Sequence, residues 1–423
     1  MSKYLFLLLS VLIIFIFCLT LVQNAQNIPS FDDYDATLSF IRNFYFEKRL
    51  LLQKTKLLFS FHNEHCIMIS RASAAIYFYI FQEINFKPLV LYQNLFLFGF
   101  FAVLLAIMRQ QKLISFPVVL FTIFFLFSLS FWQVSFYYWA GIQHYTVFFF
   151  SFLSLFLLNK TEKPVSRDFL LAVFSVLLAV CSFGNGLLTL FLGAFLLLVQ
   201  RKYRTLIAWS IISAAILIVI FLSRNPAQIA DGEKFNLEWM GRLLFTFLGS
   251  YLFVNPSVNM LYTVNIIICF AFGVAVFIFW LWLFFKGYAF KNPLLYVLFS
   301  LPILTGIIIS ISRFSTKAAG GIAPRYMFFT AVIPVMLVLI LLDLKILNKK
   351  SQQFLVVLGS IIWMTSFYNN INALKSSNKE LVTAIHVWQQ DKTKPLINQG
   401  NLWDYSYRLR WAVENNVIDI DEK

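Results

Sequence analysis

The chain has 423 residues, of which 60% are hydrophobic and 13% are charged, and its mean hydropathy is +0.77. Soluble domains are roughly half apolar and a quarter charged, so this composition excludes an ordinary soluble domain and indicates a protein dissolved in lipid. The net charge of +15 is explained more simply by basic cytoplasmic loops than by nucleic-acid binding. The four cysteines have neither a paired framework nor metal-site spacing.

Long apolar runs recur along the chain, and each is expected to be helical because lipid offers the backbone no hydrogen-bond partners. A helix needs ~20 mostly apolar residues to cross the ~30 Å hydrocarbon core. The sequence therefore predicts an all-α, polytopic transmembrane helix bundle of about 11 spans. The predicted spans are 4–22, 89–108, 113–131, 142–158, 169–183, 186–200, 205–223, 261–283, 293–312, 326–342 and 354–372.

Two of these spans come from one apolar stretch, 169–203, which is too long for a single crossing. Gly184, Asn185 and Gly186 lie at its middle and are a turn signal, so the stretch is predicted to fold as a hairpin. The first span, 4–22, is longer than the ~7–15-residue core of a cleaved signal peptide, which favours an uncleaved helix.

The short basic loops all fall on one side of the predicted membrane, which the positive-inside rule makes cytoplasmic. These loops are 108–112, 159–168, 201–204, 286–291 and 343–350. The amino terminus is then cytoplasmic and the carboxyl terminus lies outside. We predict a transmembrane domain over 1–372, whose first outer loop (23–88) carries a helix at the membrane surface, and a small extracytoplasmic tail over 373–423.

The densest acidic cluster follows the first span and consists of Asp32, Asp33 and Asp35. Carboxylates this close repel one another, and beside a low-dielectric surface at least one pKa should rise. A base with a shifted pKa at the membrane surface is suited to deprotonating an acceptor hydroxyl. The alternative interpretation is a solvated turn that ends the span.

A second polar group occupies the start of a helical, apolar pattern and contains His62, Glu64, His65 and Arg71. His62 and His65 are three residues apart and are predicted to share a helix face. The sequence predicts no firm cofactor. A divalent cation on these histidines is one interpretation, although no third ligand has a recognisable spacing. Helix capping and surface pairing is the other.

Two arginines flank a short outer loop: Arg313 ends one span, and Arg325 begins the next after a Gly320–Gly321 hinge. Guanidinium groups bind phosphate through two parallel hydrogen bonds, so this pair suits a lipid-linked phosphate. The alternative is that both arginines anchor the helix ends at the lipid surface. A further set of polar residues, more typical of satisfied helix ends than of a site, is Gln143, His144 and Asn185.

An outer acidic pair after the first span, an interfacial helix, many spans and a late outer arginine loop together resemble the GT-C type membrane glycosyltransferases. This family includes protein O-mannosyltransferases and bacterial enzymes that decorate lipopolysaccharide. The blocks "HNEHCIMISR", "SFGNGLL" and "APRY" are similar to an uncharacterised bacterial branch with "NEHR", "NGL" and "SRY". The resemblance covers most of residues 1–345, and Cys66 stands where that branch has arginine.

The resemblance implies a bacterial inner-membrane enzyme that takes a sugar from a polyprenyl-phosphate donor. The sugar passes to a glycan, lipid or protein acceptor on the outer side of the bilayer. Asp32 would be the catalytic base and Asp33 its catalytic neighbour. The residues implied in substrate binding are Asp35, Glu64, His65, Arg71, Arg313 and Arg325.

Two other functions fit part of the pattern. An O-antigen polymerase or ligase is equally apolar, but its main charged loop usually lies late in the chain, whereas the acidic cluster here is early. A lipid-linked-sugar flippase would place charged residues in the middle of spans, and the predicted spans contain almost none.

Overall fold

The computed structural model describes residues 3–63, 65–223, 236–313, 322–397 and 404–420. Within these ranges the regular structure is almost entirely helical, and the predicted all-α bundle is confirmed. The only described β structure is a hairpin of β1 (Phe61–His62) and β2 (His65–Cys66). The α-helices are α1 (Lys3–Asn24), α2 (Leu51–Phe59), α3 (Met68–Phe81), α4 (Phe86–Gln110), α5 (Phe116–Leu126), α6 (Trp132–Phe136), α7 (Tyr138–Lys160), α8 (Arg167–Val180), α9 (Leu188–Val199), α10 (Tyr203–Ser223), α11 (Leu237–Gly249), α12 (Asn259–Phe285), α13 (Tyr288–Lys291), α14 (Pro293–Arg313), α15 (Pro324–Asp343), α16 (Lys349–Gln390) and α17 (Ser406–Glu414).

Nine helical segments in the described ranges are long and apolar enough to cross a membrane, which indicates an integral membrane protein. α5 and α6, joined by the turn Leu129–Phe131, count as one of them. All nine coincide with predicted spans. The other two predicted spans, 169–183 and 186–200, correspond to α8 and α9, which have only 14 and 12 residues. Their lengths are about 21 and 18 Å, less than the ~30 Å core.

The bundle has a buried centre and a lipid-like exterior. The central segments are α7, α14, α15 and the segment Phe116–Phe136, which bury most of their side chains within the protein. The peripheral helices α1, α10 and α12 instead expose apolar side chains over most of their length. Phe221 and Leu222 at the end of α10 are 78% and 76% exposed. Such surfaces are stable in hydrocarbon but costly in water.

Hydrogen bonds group the predicted basic loops at one end of the bundle. Asn292 donates to Gln111 at 3.0 Å and to Asp343 at 3.1 Å, which ties three of these loops or their flanks together. Asn159 accepts from Gln200 at 2.6 Å and, through its backbone carbonyl, from Lys202 at 2.8 Å. These contacts join loops 108–112, 286–291 and 343–350, or the residues that flank them, to one another, and loop 159–168 to loop 201–204.

The acidic cluster, the β-hairpin and the tail gather at the opposite end. The Phe86 N–H donates to Asn27 at 2.9 Å, and Asn27 itself donates to the backbone of Asp419 at 2.8 Å. α16 has 42 residues, or roughly 63 Å, so it continues well beyond a bilayer. It runs without interruption across the predicted domain boundary at 372–373, and its Ser377 hydroxyl lies 2.5 Å from the hydroxyl of Tyr137.

Two glycines bring α11 and α12 into backbone contact. A Cβ on Gly249 would lie 1.8 Å from the carbonyl oxygen of Cys269, and one on Gly273 would lie 1.7 Å from that of Phe245. These separations leave no room for a side chain, because neither clashing atom is a movable side-chain end. Small residues permit this close helix packing in membranes, where van der Waals contact is the main attraction between helices.

We therefore expect Gly249→Ala to destabilise the protein by about 1–3 kcal/mol, the usual cost of overpacking. Thermal unfolding in detergent measures the effect. Gly241→Ala is the matched control, because Gly241 lies on the same helix and has no atom within 4 Å of its added Cβ. Equal unfolding temperatures for the two variants would show that α11 and α12 do not pack in this way.

Candidate functional site

A cavity of about 420 Å³ opens at the end of the bundle that carries the acidic cluster. It lies between the β-hairpin, the α8–α9 turn and the last turns of α10 and α14. The apolar residues of the cavity include Val180, Leu188, Phe191, Ile220, Ile308 and Ile309. Its polar residues are His65, Asn185, Thr305, Ser312, Arg313 and Tyr326.

Three sequence blocks that are far apart in the chain meet at this cavity. His65 comes from "HNEHCIMISR", Asn185 from "SFGNGLL" and Tyr326 from "APRY". The hairpin packs so closely on the α8–α9 turn that a Cβ on Gly184 would lie 2.5 Å from His65 Nδ1. The His65 ring also lies 4.1 Å from the ring of Phe183. Glycine at 184 therefore allows the histidine to reach the cavity wall.

Several buried polar atoms beside the cavity have no hydrogen-bond partner in the described part of the chain. Asn185 donates to Thr305 at 3.2 Å, but its Oδ1 accepts nothing there. His144 Nδ1 lies 2.5 Å from the carbonyl oxygen of Ala140, so Nδ1 carries the hydrogen and Nε2 is an acceptor without a donor. Arg325 Nε is likewise unpaired. This differs from the expectation that His144 and Asn185 are satisfied helix-end residues, and unpaired buried polar groups are costly unless a ligand or water meets them.

The three carboxylates of the acidic cluster have different environments, and Asp33 is the buried one. Asp33 is 1% exposed, and its Oδ2 accepts from the backbone N–H and the hydroxyl of Ser30, both at 3.1 Å. Burial raises the pKa of Asp33 well above its usual range, and the charge of Asp32 contributes less. Asp32 is 42% exposed, and its Oδ2 lies 3.8 Å from His62 Nε2. Asp33 is therefore the residue of the cluster whose pKa is raised, as predicted for one of the three, and burial is the main cause.

Asp35 is tied to the tail. Its Oδ1 lies 2.5 Å from Nε of Arg408 on α17, with both side chains about one-third exposed. Tyr34 directly precedes Asp35, and its ring stacks on that of Tyr405 with the centroids 4.4 Å apart. The tail thus packs directly on the π-helical segment Asp33–Ser39 that carries two of the three carboxylates.

Arg71 is directed toward the backbone of the first loop. It is 6% exposed, and its Nη1 donates to the carbonyl of Leu57 at 3.1 Å and to the carbonyl and hydroxyl of Ser60. These contacts hold the carboxyl end of α2. Burial lowers the pKa of Arg71 to about 10. The structure therefore places this predicted substrate-binding residue in a capping position, as the alternative interpretation of the polar group describes.

His62 and His65 lie opposite each other in the β-hairpin, so the predicted shared helix face is wrong. The chain turns at Asn63, which has a φ of 51°, a left-handed conformation that asparagine tolerates. Glu64 lies outside the described residues, as do Gly320 and Gly321. No group of three or more histidine, cysteine or acidic side chains in the described ranges is arranged to hold a metal ion.

Comparisons with protein-family models, curated proteins and solved structures find no match to this chain.

The raised pKa of Asp33 leads to a test of stability against pH. The folded protein binds the Asp33 proton more tightly than the unfolded chain, so this residue's contribution to the free energy of unfolding falls as pH rises from about 4. Asp33→Asn is always neutral and still offers Ser30 an oxygen. We expect this variant to unfold at a higher temperature than wild type at neutral pH and to lose that advantage near pH ~4.

Thermal unfolding across this pH range measures the effect. Asp35→Asn is the control, because removing a charge from the partly exposed pair with Arg408 should give no gain at neutral pH. If wild type and Asp33→Asn have the same pH profile, Asp33 is not a buried, protonated carboxyl.

Proposed function

We propose that this protein is a membrane glycosyltransferase that moves a sugar from a polyprenyl-phosphate donor to a glycan, lipid or protein acceptor. The observation that carries the proposal is the cavity at the α8–α9 turn, which joins an apolar region to a polar one that contains Arg313. A polyprenyl phosphate has the same two parts, a hydrocarbon chain and an anionic head. The catalytic carboxylates would be supplied by the acidic cluster at the same end of the bundle.

The donor would lie with its isoprenoid chain along Phe191, Ile220 and Ile308, which form part of the apolar wall. Its phosphate would meet Arg313 at the rim. Arg325, next to Tyr326 on the first turn of α15, would supply a second cation from its half-buried side chain, whose Nε is buried and unpaired in the described part of the chain. Two guanidinium groups offset the charge that develops on a phosphate leaving group, and such a leaving group needs no proton. His65 and Asn185 would contact the sugar.

Asp32 is the carboxylate best suited to act as the base. Asp33 is buried with a raised pKa, and Asp35 is paired with Arg408. Asp32 remains partly exposed beside His62, on the hairpin whose Phe61 and His65 line the cavity. An acceptor hydroxyl bound over this hairpin would therefore have one accessible carboxylate to receive its proton. Asp33 would act as a positioning residue that fixes the turn through Ser30.

We also propose the finer topology. The end with the basic loops would be cytoplasmic, and the end with the cavity would face the outer side of a bacterial inner membrane. α8 and α9 would complete a set of 11 membrane-inserted segments, as a hairpin that enters from the cytoplasmic end and turns back within the bilayer. The amino terminus would lie inside, and the tail outside, where it packs on the acidic cluster.

A flippase is less well supported by the same contacts. In the described part of the chain, the buried charged residues are Asp33 and Arg71, and both precede the second long span. A pathway for a charged lipid head across the bilayer would need polar or charged groups along the centre of the spans. The polar residues of the cavity instead cluster at one end.

The catalytic proposal predicts that Asp32→Asn inserts in the membrane at normal levels but transfers sugar ~10²–10⁴-fold more slowly, because the amide cannot accept the proton. The measurement is transfer of labelled sugar from a polyprenyl-phosphate donor in membranes with matched protein amounts. Asp35→Asn is the control and should retain most activity. If Asp32→Asn transfers sugar at the wild-type rate and Asp33→Asn is inactive, Asp33 rather than Asp32 is the base. If all three variants are active, the cluster has no catalytic role.

The phosphate contact predicts that Arg313→Lys and Arg325→Lys both lose transfer activity despite keeping the charge, because lysine cannot make the planar two-bond contact. The same assay measures it. Arg242→Lys on α11 is the control, since Arg242 is an exposed residue whose contacts are an ion pair with Glu238 and the ring of Trp239. Full activity in both lysine variants at normal abundance would show that these arginines merely anchor helix ends.

A further inference from the structure

We propose that Cys66 and Cys181 are a disulfide-forming pair in the wall of the cavity and are oxidised by thiol–disulfide exchange with a small or protein disulfide. Oxidation of the pair in the cell rests on the proposed function, which places the cavity on the outer side of the membrane. Disulfides persist in oxidising compartments such as the bacterial periplasm and are rare in the cytosol.

These two cysteines are far apart in the chain, and the fold places the segments that carry them next to each other. Cys66 is the last residue of β2, and Cys181 directly follows α8. The backbone N–H of Ile69 donates to the carbonyl of Cys181 at 3.5 Å, which joins the start of α3 to the end of α8. Cys66 lines the cavity together with Val180 and Phe183, the residues beside Cys181 in sequence. The two segments that carry the thiols are therefore adjacent at the cavity wall.

The two side chains also interact, and both are free thiols in the structure. A hydrogen bond with the Cys181 thiol is the main reason that the pKa of Cys66 is lowered, and the nearby charge of Arg71 helps. The thiolate is the attacking form in disulfide exchange. Cys66 would therefore react first. The other two cysteines, Cys18 and Cys269, lie within the spans α1 and α12.

The exchange balances in two steps. The Cys66 thiolate attacks one sulfur of the oxidant disulfide, forming a mixed disulfide and releasing one oxidant thiolate. Cys181 then loses its proton and attacks the Cys66 sulfur, which releases the second oxidant thiolate. The protein loses two electrons and two protons, and the oxidant disulfide becomes two thiols.

The bond would fasten the hairpin to the end of α8. His65 precedes Cys66 and already packs on Gly184, three residues after Cys181. Oxidation would therefore fix His65 at the cavity wall and close a long loop between α8 and the hairpin, which stabilises the folded protein. We expect the oxidised protein to unfold at a higher temperature than the reduced one.

Purified full-length protein in detergent decides whether the pair forms. The protein is treated with oxidised glutathione, denatured, alkylated with a maleimide, digested and analysed by mass spectrometry. We expect a peptide joined between Cys66 and Cys181, with both thiols protected from alkylation and both released by dithiothreitol. Cys18 and Cys269 are internal controls and should stay alkylated.

Unprotected Cys66 and Cys181 after oxidation would overturn the proposal, as would a Cys66 joined only to another molecule. Cys181→Ser should abolish the protection of Cys66, and protection that persists in this variant would also overturn the pairing. Mass spectrometry of the wild-type protein identifies the linked peptide by itself. The proposal can therefore be tested even if Cys181→Ser does not fold.

A parallel measurement in intact cells separates this inference from the proposed function. A membrane-impermeant maleimide should label Cys66 only after cells are treated with a reductant. A different outcome is that the purified protein forms the bond while Cys66 in cells is reduced and is never labelled from outside. That result would confirm that the two cysteines can form a disulfide and would overturn the claim that they do so in the cell. Disulfide formation without sugar transfer would overturn the proposed function and leave the pair intact.

Discussion

A bilayer cannot hydrogen-bond to a polypeptide backbone, so a helix that stops inside the hydrocarbon must end against other parts of the protein. α8 and α9 stop after 14 and 12 residues, and their connecting turn is enclosed by the β-hairpin and α14. Gly186 lies so close to α8 that a Cβ would be 2.3 Å from the carbonyl oxygen of Ala179. The turn between the short helices thus contributes Phe183, Gly184 and Asn185 to the cavity wall, and the candidate site depends on its position.

The same balance of burial and charge separates the carboxylates of the acidic cluster. Three like charges this close cannot all be buried, because desolvation and mutual repulsion would add together. The fold buries Asp33 against Ser30, pairs Asp35 with Arg408 and leaves Asp32 at the surface beside His62. Proximity in sequence therefore does not make the three residues equivalent, and only their surroundings distinguish a base from a structural carboxyl.

Hydrophobicity over twenty residues was sufficient to locate the long helices, since each span must satisfy its own backbone in lipid. The turn between α8 and α9 followed from Gly184, Asn185 and Gly186, but the shortness of both helices did not, because apolar residues continue to the turn. Thr305 and Tyr326 were missed as cavity residues, although Tyr326 directly follows the predicted Arg325. His62 and His65 were assigned to a helix because three-residue spacing suits one, whereas the left-handed Asn63 makes a hairpin there. Tertiary packing decides which distant segments meet at the cavity. Local patterns such as spacing and hydrophobicity in a single sequence do not predict those long-range contacts.

Cys66 gives the cavity a chemistry different from the one that the resemblance implies. An arginine at this position would add a permanent positive charge beside His65, favourable to a phosphate. The hydrogen bond with Cys181 instead lowers the pKa of the Cys66 thiol and so favours its negatively charged form, which would oppose the anionic donor proposed above. A disulfide with Cys181 is neutral and removes that opposition. If the cavity binds the proposed phosphate, oxidation of the pair would therefore change its affinity through charge, while Arg313 would remain as a cation in the wall in either state.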